Sequence, residues 1–215
     1  MSVQPSCGDS ALLVTLKDAT KHYRGRIALR LAELQLRKGD SMLIIGANGS
    51  GKSTLLRVLA GVTTLSTGHA RHFEAFDALE IGYVPQMGGL HPNLTVAENL
   101  SLAVQLSGRQ PPDRLAQRWY VGGLGLQPLL QTRFRDLSGG FQRLAALSCA
   151  LATEPGGLFV DEPLSGIDAA HARKVVDGLS SAMSHLEVLV VTSHARTDFP
   201  FVSRVVELNA GEQQA

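Results

Sequence analysis

Cysteine is scarce in this chain of 215 residues, which has only Cys7 and Cys149. The two lie too far apart in sequence to form a metal or redox spacing. A disulfide-framed design is therefore excluded, and a reduced, cytosolic setting is expected. Aromatic residues make up 5% of the chain, and 20 Lys and Arg stand against 19 Asp and Glu. With no basic stripe and no interleaved aromatics, nucleic acid is not expected as a partner. No apolar run approaches the roughly 20 residues of a membrane-crossing helix. Residues 1–10 are polar and lack the basic-then-apolar order of a secretion signal. They are expected to be a flexible lead-in, and residues 211–215 a flexible tail. Residues 11–210 remain, enough for a sizeable core in one domain, or in one domain carrying an inserted subdomain.

Glycine is present where chemistry can use it. The apolar run Met42-Leu43-Ile44-Ile45 leads straight into Gly46-Ala47-Asn48-Gly49-Ser50-Gly51-Lys52-Ser53-Thr54. A strand ending in a glycine-rich turn that opens a helix forms a phosphate cradle. Backbone N–H groups close around phosphate oxygens without obstruction by side chains. Lys52 has the reach for β- and γ-phosphates, and the Ser53 hydroxyl suits a Mg²⁺ position. A helix predicted from about residue 52 to 60 aims its positive end at the anion.

The rest of the chain alternates strand and helix signals. Leu12-Val14-Leu16 and Leu29-Leu31-Leu34-Leu36 read as strands with one buried face. Ile81-Gly82-Tyr83-Val84 is a strand stopped by Pro85. From about residue 94 to 152 the pattern is helical, with a capping-box spacing between Thr95 and Glu98 at its start, a break at Gly108 to Pro112 and another at Gly122-Gly123-Leu124-Gly125. Strand signals return at Leu158-Phe159-Val160, at Val188-Leu189-Val190-Val191 and at Val205-Val206. This alternation predicts an α/β fold with a largely parallel sheet.

Five further motifs follow the glycine loop in order. Gln86 sits at the end of the strand at 81–85. Leu137-Ser138-Gly139-Gly140-Phe141-Gln142 opens a helix. Leu158-Phe159-Val160-Asp161-Glu162-Pro163 is an apolar strand ending in two carboxylates. Ser165-Gly166-Ile167-Asp168 comes next, and Thr192-Ser193-His194 ends a later strand. Ser138 and Gly140 at a helix start offer a second anion site. Together these motifs resemble the nucleotide-binding subunit of ATP-binding-cassette (ABC) transporters over residues 12–208, nearest to bacterial ABC-2-type and haem-exporter cassettes.

The resemblance implies a P-loop NTPase fold. Its parts are a RecA-like core with a mostly parallel sheet, an N-terminal antiparallel β subdomain and an inserted α-helical signature subdomain at about 90–152, all within a single domain at 11–210. It implies ATP and Mg²⁺ as cofactors. Gly46, Asn48, Gly49, Ser50, Gly51, Lys52, Ser53 and Thr54 are then nucleotide ligands. Asp161, Ser53 and Gln86 serve the metal. Glu162 becomes the general base, with Gln86, His194 and Lys52 around the γ-phosphate. Tyr23 resembles the aromatic that stacks on adenine, with simple packing as its alternative. Ser138, Gly139, Gly140 and Asp168 belong to an interface with a second cassette across two ATP molecules. An integral membrane transporter subunit is the other implied partner, placing the chain at the cytoplasmic face of a membrane.

The sequence departs from the family pattern in places. Phe141 stands where Gln or Glu is usual, and Leu144 and Cys149 replace basic residues along the signature helix. The segment at 66–81 is short, as if a hairpin were trimmed. Residues 90–100 resemble those of exporters, so export is expected, with import as the alternative. A non-transport ABC ATPase is a further reading, disfavoured by the single compact cassette. A phosphate-loop kinase or GTPase is disfavoured by the signature helix and by the lack of an Asn-Lys-x-Asp run.

Overall fold

The computed structural model describes residues 11–209, so the expectations for 1–10 and 211–215 lie outside it. The chain opens with a long hairpin. Strands β1 (Leu12–Tyr23) and β2 (Arg26–Arg37) pair antiparallel. Arg24 and Gly25 turn the chain with φ of 49° and 78°. Two positive φ values in a two-residue loop suit the right-handed twist of the strands it joins. A third strand, β4 (Thr67–His72), pairs antiparallel with β1, giving the order β2-β1-β4.

The second sheet is the spine of the molecule. Strands β3 (Ser41–Gly46), β5 (Ile81–Val84), β6 (Gly157–Val160), β7 (Val188–Ser193) and β8 (Arg204–Leu208) lie in the order β5-β6-β7-β3-β8, all parallel. Strands β6 and β7 are buried along their whole length. That burial explains their unbroken apolar sequences, because helices or a second sheet cover both faces.

Each face of this sheet has its own core. On one side, α1 (Lys52–Leu59), α2 (Glu74–Asp77) and the inner face of the antiparallel sheet enclose Leu16, Leu36, Leu55, Phe76 and Phe159. On the other side lie α3 (Val96–Leu106), α4 (Trp119–Gly122), α5 (Gly139–Ala152) and α6 (Ala169–Ala182). They pack Leu100, Leu144, Leu147, Val175 and Leu179 against the sheet. Thr95 caps α3 through a reciprocal capping box with Glu98, as the spacing predicts.

Within 94–152, α3 stops before Gly108 and α4 stops at Gly122, and between α3 and α5 only α4 and short 3₁₀ turns form. Gly108, Pro111, Pro112, Gly122, Gly123, Gly125 and Pro128 fall in this span and prevent longer helices. The segment at 66–81 supplies β4 and α2. Residues 67–71 of β4 are exposed, so no apolar alternation marks the strand.

Candidate functional site

Four neighbouring strands of the parallel sheet end at one edge, and each ends in a residue singled out by its motif. Gln86 follows β5, Asp161 and Glu162 follow β6, His194 follows β7, and the glycine loop follows β3. Neighbouring strands are about 4.8 Å apart, so the sheet itself lines these groups up.

The loop from Gly46 to Gly51 is shaped by its glycines. Gly46 has φ of 153°, and a Cβ there would lie 2.5 Å from both the Leu208 carbonyl oxygen and Ser50 Oγ. Gly51 caps α1 in the left-handed conformation, with φ of 91° and no side-chain cap. The first N–H groups of α1 thus face the loop without a side-chain acceptor, and the positive end of the helix is left for an anion. Asn48, Gly49, Gly51, Ser53 and Thr54 line a cleft of about 260 Å³ with Lys52, Gln86 and Glu162. Ala28 of β2 closes its far side. Tyr23 does not line this cleft. It stands 43% exposed at the end of β1, with the Lys21 ammonium 5.3 Å from its ring centre.

Inside the cleft the charges are paired. Lys52 Nζ donates to the carbonyl oxygens of Gly46 (2.9 Å) and Ala47 (3.2 Å). It also lies 3.1 Å from Glu162 Oε1, with side-chain exposures of 4% and 9%. Gln86 Nε2 donates to Glu162 Oε2 at 2.9 Å, and His194 Nε2 lies 3.2 Å from the same oxygen. Glu162 therefore collects Lys52, Gln86 and His194 on one carboxylate. Its backbone has φ of 44°, a left-handed value uncommon for a residue with a side chain.

Asp161 is fully buried. Its Oδ1 accepts from Ser53 Oγ at 2.9 Å and from Thr192 Oγ1 at 2.8 Å. Its Oδ2 is buried with no partner. Among the described residues no group of three or more His, Cys, Asp or Glu side chains could hold a metal. A Mg²⁺ ion here must share its ligands between one carboxylate, a hydroxyl and oxygens brought by the substrate. That is the donor set Mg²⁺ favours, and the orphaned Asp161 Oδ2 beside Ser53 fits it.

The second motif cluster lies at the start of α5. Ser138 is the N-cap of α5, and its Oγ accepts from the Phe141 N–H at 3.5 Å. Gly139 is open, whereas a Cβ on Gly140 would meet the His171 ring at 2.5 Å. The His171 ring also stands edge-on to Phe141, with centroids 4.6 Å apart. Asp168 caps α6, accepting from the N–H groups of Ala170 and His171 and pairing with His171 Nδ1 at 2.6 Å. Its contacts with the His171 N–H and ring hold its carboxyl below the usual range. Asp168 thus meets Phe141 of α5 through His171.

Three residues given no role by motif reading belong to this site. Thr192 links the Asp161 carboxylate to the backbone of Glu162, donating to Asp161 Oδ1 and accepting from the Glu162 N–H, both at 2.8 Å. Arg143 of α5 donates to the Pro85 carbonyl at 3.2 Å, just before Gln86. Burial pulls its pKa down while Asp161 and Glu162 oppose that shift. Asp198 accepts a short hydrogen bond from Ser193, next to His194. Only Thr192 left a sequence signal, a polar residue at the end of an apolar strand.

The segment after Gln86 is less pliable than its Gly, Pro and Asn content suggests. Asn99, 3% exposed, accepts from the His91 N–H at 2.8 Å. It donates to the carbonyls of His91, Leu94 and Thr95 at 3.0–3.3 Å. Only residues 87–89 stay outside this clamp.

Comparison with known proteins agrees with this geometry. Residues 29–165 match the family described as ABC transporter. The zinc import ATP-binding protein ZnuC of Ruegeria sp. (strain TM1040) is 34% identical, over 92% of this chain and 77% of its own length. The sn-glycerol-3-phosphate import ATP-binding protein UgpC of Rhizobium meliloti (strain 1021) is 33% identical, over 92% of this chain. The chain spans only 60% of that relative's length. The dimeric structure of MJ0796, a bacterial ABC transporter cassette, superposes with a TM-score of 0.80 at 25% identity, over 92% of this chain and 94% of that one. The chain belongs to the ABC transporter family and has the fold of its ATP-binding cassettes. Most of these relatives are named as import proteins. The export direction expected from residues 90–100 finds no support among them.

Proposed function

We propose that this chain is the ATP-hydrolysing cassette of a transporter, and that the direction of transport is uptake. The observation that carries hydrolysis is the single carboxylate of Glu162, held by Lys52, Gln86 and His194 at the mouth of the phosphate loop. Arriving β- and γ-phosphates draw the Lys52 ammonium away from Glu162. The freed carboxylate then accepts a proton from the attacking water, with Gln86 and His194 orienting water and carboxylate. Ser53, Asp161 and Gln86 are the residues that would hold Mg²⁺, which when bound neutralises charge on the phosphates. Tyr23, at the end of β1, is the proposed adenine platform. The proposed uptake direction rests on the relatives' names and on nothing in the cleft.

Two further assignments follow from position. Ser138, Gly139 and Gly140 form an anion-binding helix start away from the cleft of this chain, so the ATP they bind is that of a second cassette. Among the described residues no helix is long and apolar enough to cross a membrane. The translocation path is assigned to a membrane subunit, with this chain on its cytoplasmic side.

Glu162→Gln tests the reading. It keeps the shape and the Gln86 and His194 contacts but cannot take the proton. The variant should bind ATP and hydrolyse it roughly 10² to 10⁴ times more slowly. Turnover at the wild-type rate would remove Glu162 from the reaction.

A further inference from the structure

We infer that Thr192 is the positioning residue for both carboxylates of the ATPase site, an inference that rests on the hydrolytic reading above. Thr192 lies near the end of β7, fully buried, and touches the cleft only through its neighbours. Its hydroxyl has one proton. The Glu162 backbone N–H, 2.8 Å away, can only donate, so Oγ1 accepts there. The hydroxyl proton is left for Asp161 Oδ1, also at 2.8 Å. The direction of both hydrogen bonds is therefore fixed.

Each bond does something the chemistry needs. The bond to the Glu162 N–H anchors a residue whose φ of 44° is otherwise unfavourable, and so sets where the Glu162 side chain departs. The bond to Asp161 fixes the carboxylate plane. Oδ1 is held by Ser53 and Thr192, and Oδ2 is the oxygen left over. The hydroxyl oxygen of Ser53 would hold a metal ion while its proton stays on Asp161 Oδ1, so Ser53 and Thr192 together would keep Oδ2 presented. One hydroxyl on β7 thus aligns the metal-facing oxygen and the proton acceptor, which are adjacent in sequence but have different tasks.

Thr192→Val and Thr192→Ser separate this role from bulk packing. Val matches the shape of Thr but lacks the hydroxyl, and Ser keeps the hydroxyl but loses the methyl. Removing a residue that orients a metal ligand typically costs about 10- to 100-fold in metal affinity or activity. Thr192→Val should lower kcat about 10- to 100-fold while the KM for ATP stays within about 3-fold, because the glycine loop is untouched. Mn²⁺ binding to the ADP-loaded protein, read by electron paramagnetic resonance, should weaken about 10-fold in the same variant. Thr192→Ser should restore both. If Thr192→Val does not fold, Thr192→Cys is measured in its place against the same Ser control. Wild-type kcat and Mn²⁺ affinity in the variant without the hydroxyl, or equal losses in Val and Ser, would overturn the positioning role. A wild-type protein that hydrolyses no ATP while Thr192→Val still weakens Mn²⁺ would overturn the hydrolytic reading instead.

Discussion

Replacing Lys52 with Ala should destabilise the nucleotide-free protein, and the cause would be the partner it leaves behind. Lys52 and Glu162 are 3.1 Å apart with side-chain exposures of 4% and 9%. Removing one member of a buried pair strands the other charge, at a cost of about 3–5 kcal/mol. Glu162 keeps Gln86 and His194, so the cost falls below that range, to about 2–3 kcal/mol. For a chain of this length each kcal/mol moves Tm by about 2–4 °C, so the fall should be about 4–12 °C. Lys52→Ala with Glu162→Gln removes both charges together. Their coupling in a double-mutant cycle, measured by urea unfolding without nucleotide, should be about 1–3 kcal/mol. A coupling below about 0.5 kcal/mol would mean that Lys52 does not hold Glu162 in the resting protein, and the exchange step built on that pair would fall.

Other outcomes follow from the same geometry. Ser138→Arg should leave ATP affinity intact but block nucleotide-dependent dimers, read by light scattering in a Glu162→Gln background; unimpaired dimers would refute the interface. Asn99→Leu keeps the volume but removes four hydrogen bonds, and should cost about 2–3 kcal/mol in urea unfolding with faster hydrogen exchange at the His91 N–H. Unchanged exchange at that amide would show that the clamp is not made. Glu98 and Asp168 both cap helices, and accepted hydrogen bonds hold both carboxyls below their usual range. Their stabilisation is complete above the unfolded values near pH 4 and is lost as pH falls through the lower folded values. Glu98→Gln with Asp168→Asn should therefore flatten part of the stability loss below about pH 4, and an acid limb identical to wild type would contradict it.

The parts of the site legible in sequence are those whose chemistry is local. Gly46, Gly51 and Lys52 act through backbone shape and short reach, so their spacing is enough. Asp161 and Glu162 were visible because an apolar strand must end where two carboxylates begin. Thr192 was visible as a residue but its role was not, because that role depends on β6 and β7 being neighbours, a pairing that no local pattern encodes. The same holds for Arg143, which reaches Pro85 across 58 positions. Strand β4 escaped because its exposed residues give no alternation. Asn99 belongs to no motif, yet its side chain ties down the loop at His91, Leu94 and Thr95. Direction of transport left no trace in residues 90–100 that the relatives support.

The parallel ladder under the site gives it an all-or-none character. Side chains on a strand alternate between faces, so a slip of one residue would carry a strand end about 3.3 Å and turn its side chain over. The register of β6 on β7 pairs Val160 with Val191, and that of β3 on β7 pairs Ile45 with Ser193. These pairs set the spacing of Asp161, Glu162, His194 and the glycine loop. No intermediate register exists through which that spacing could drift. A core substitution that weakens the sheet should therefore reduce the number of active molecules without degrading the rate of each one. Damage to the interior would appear as lost active-site titre at constant turnover per titrated site.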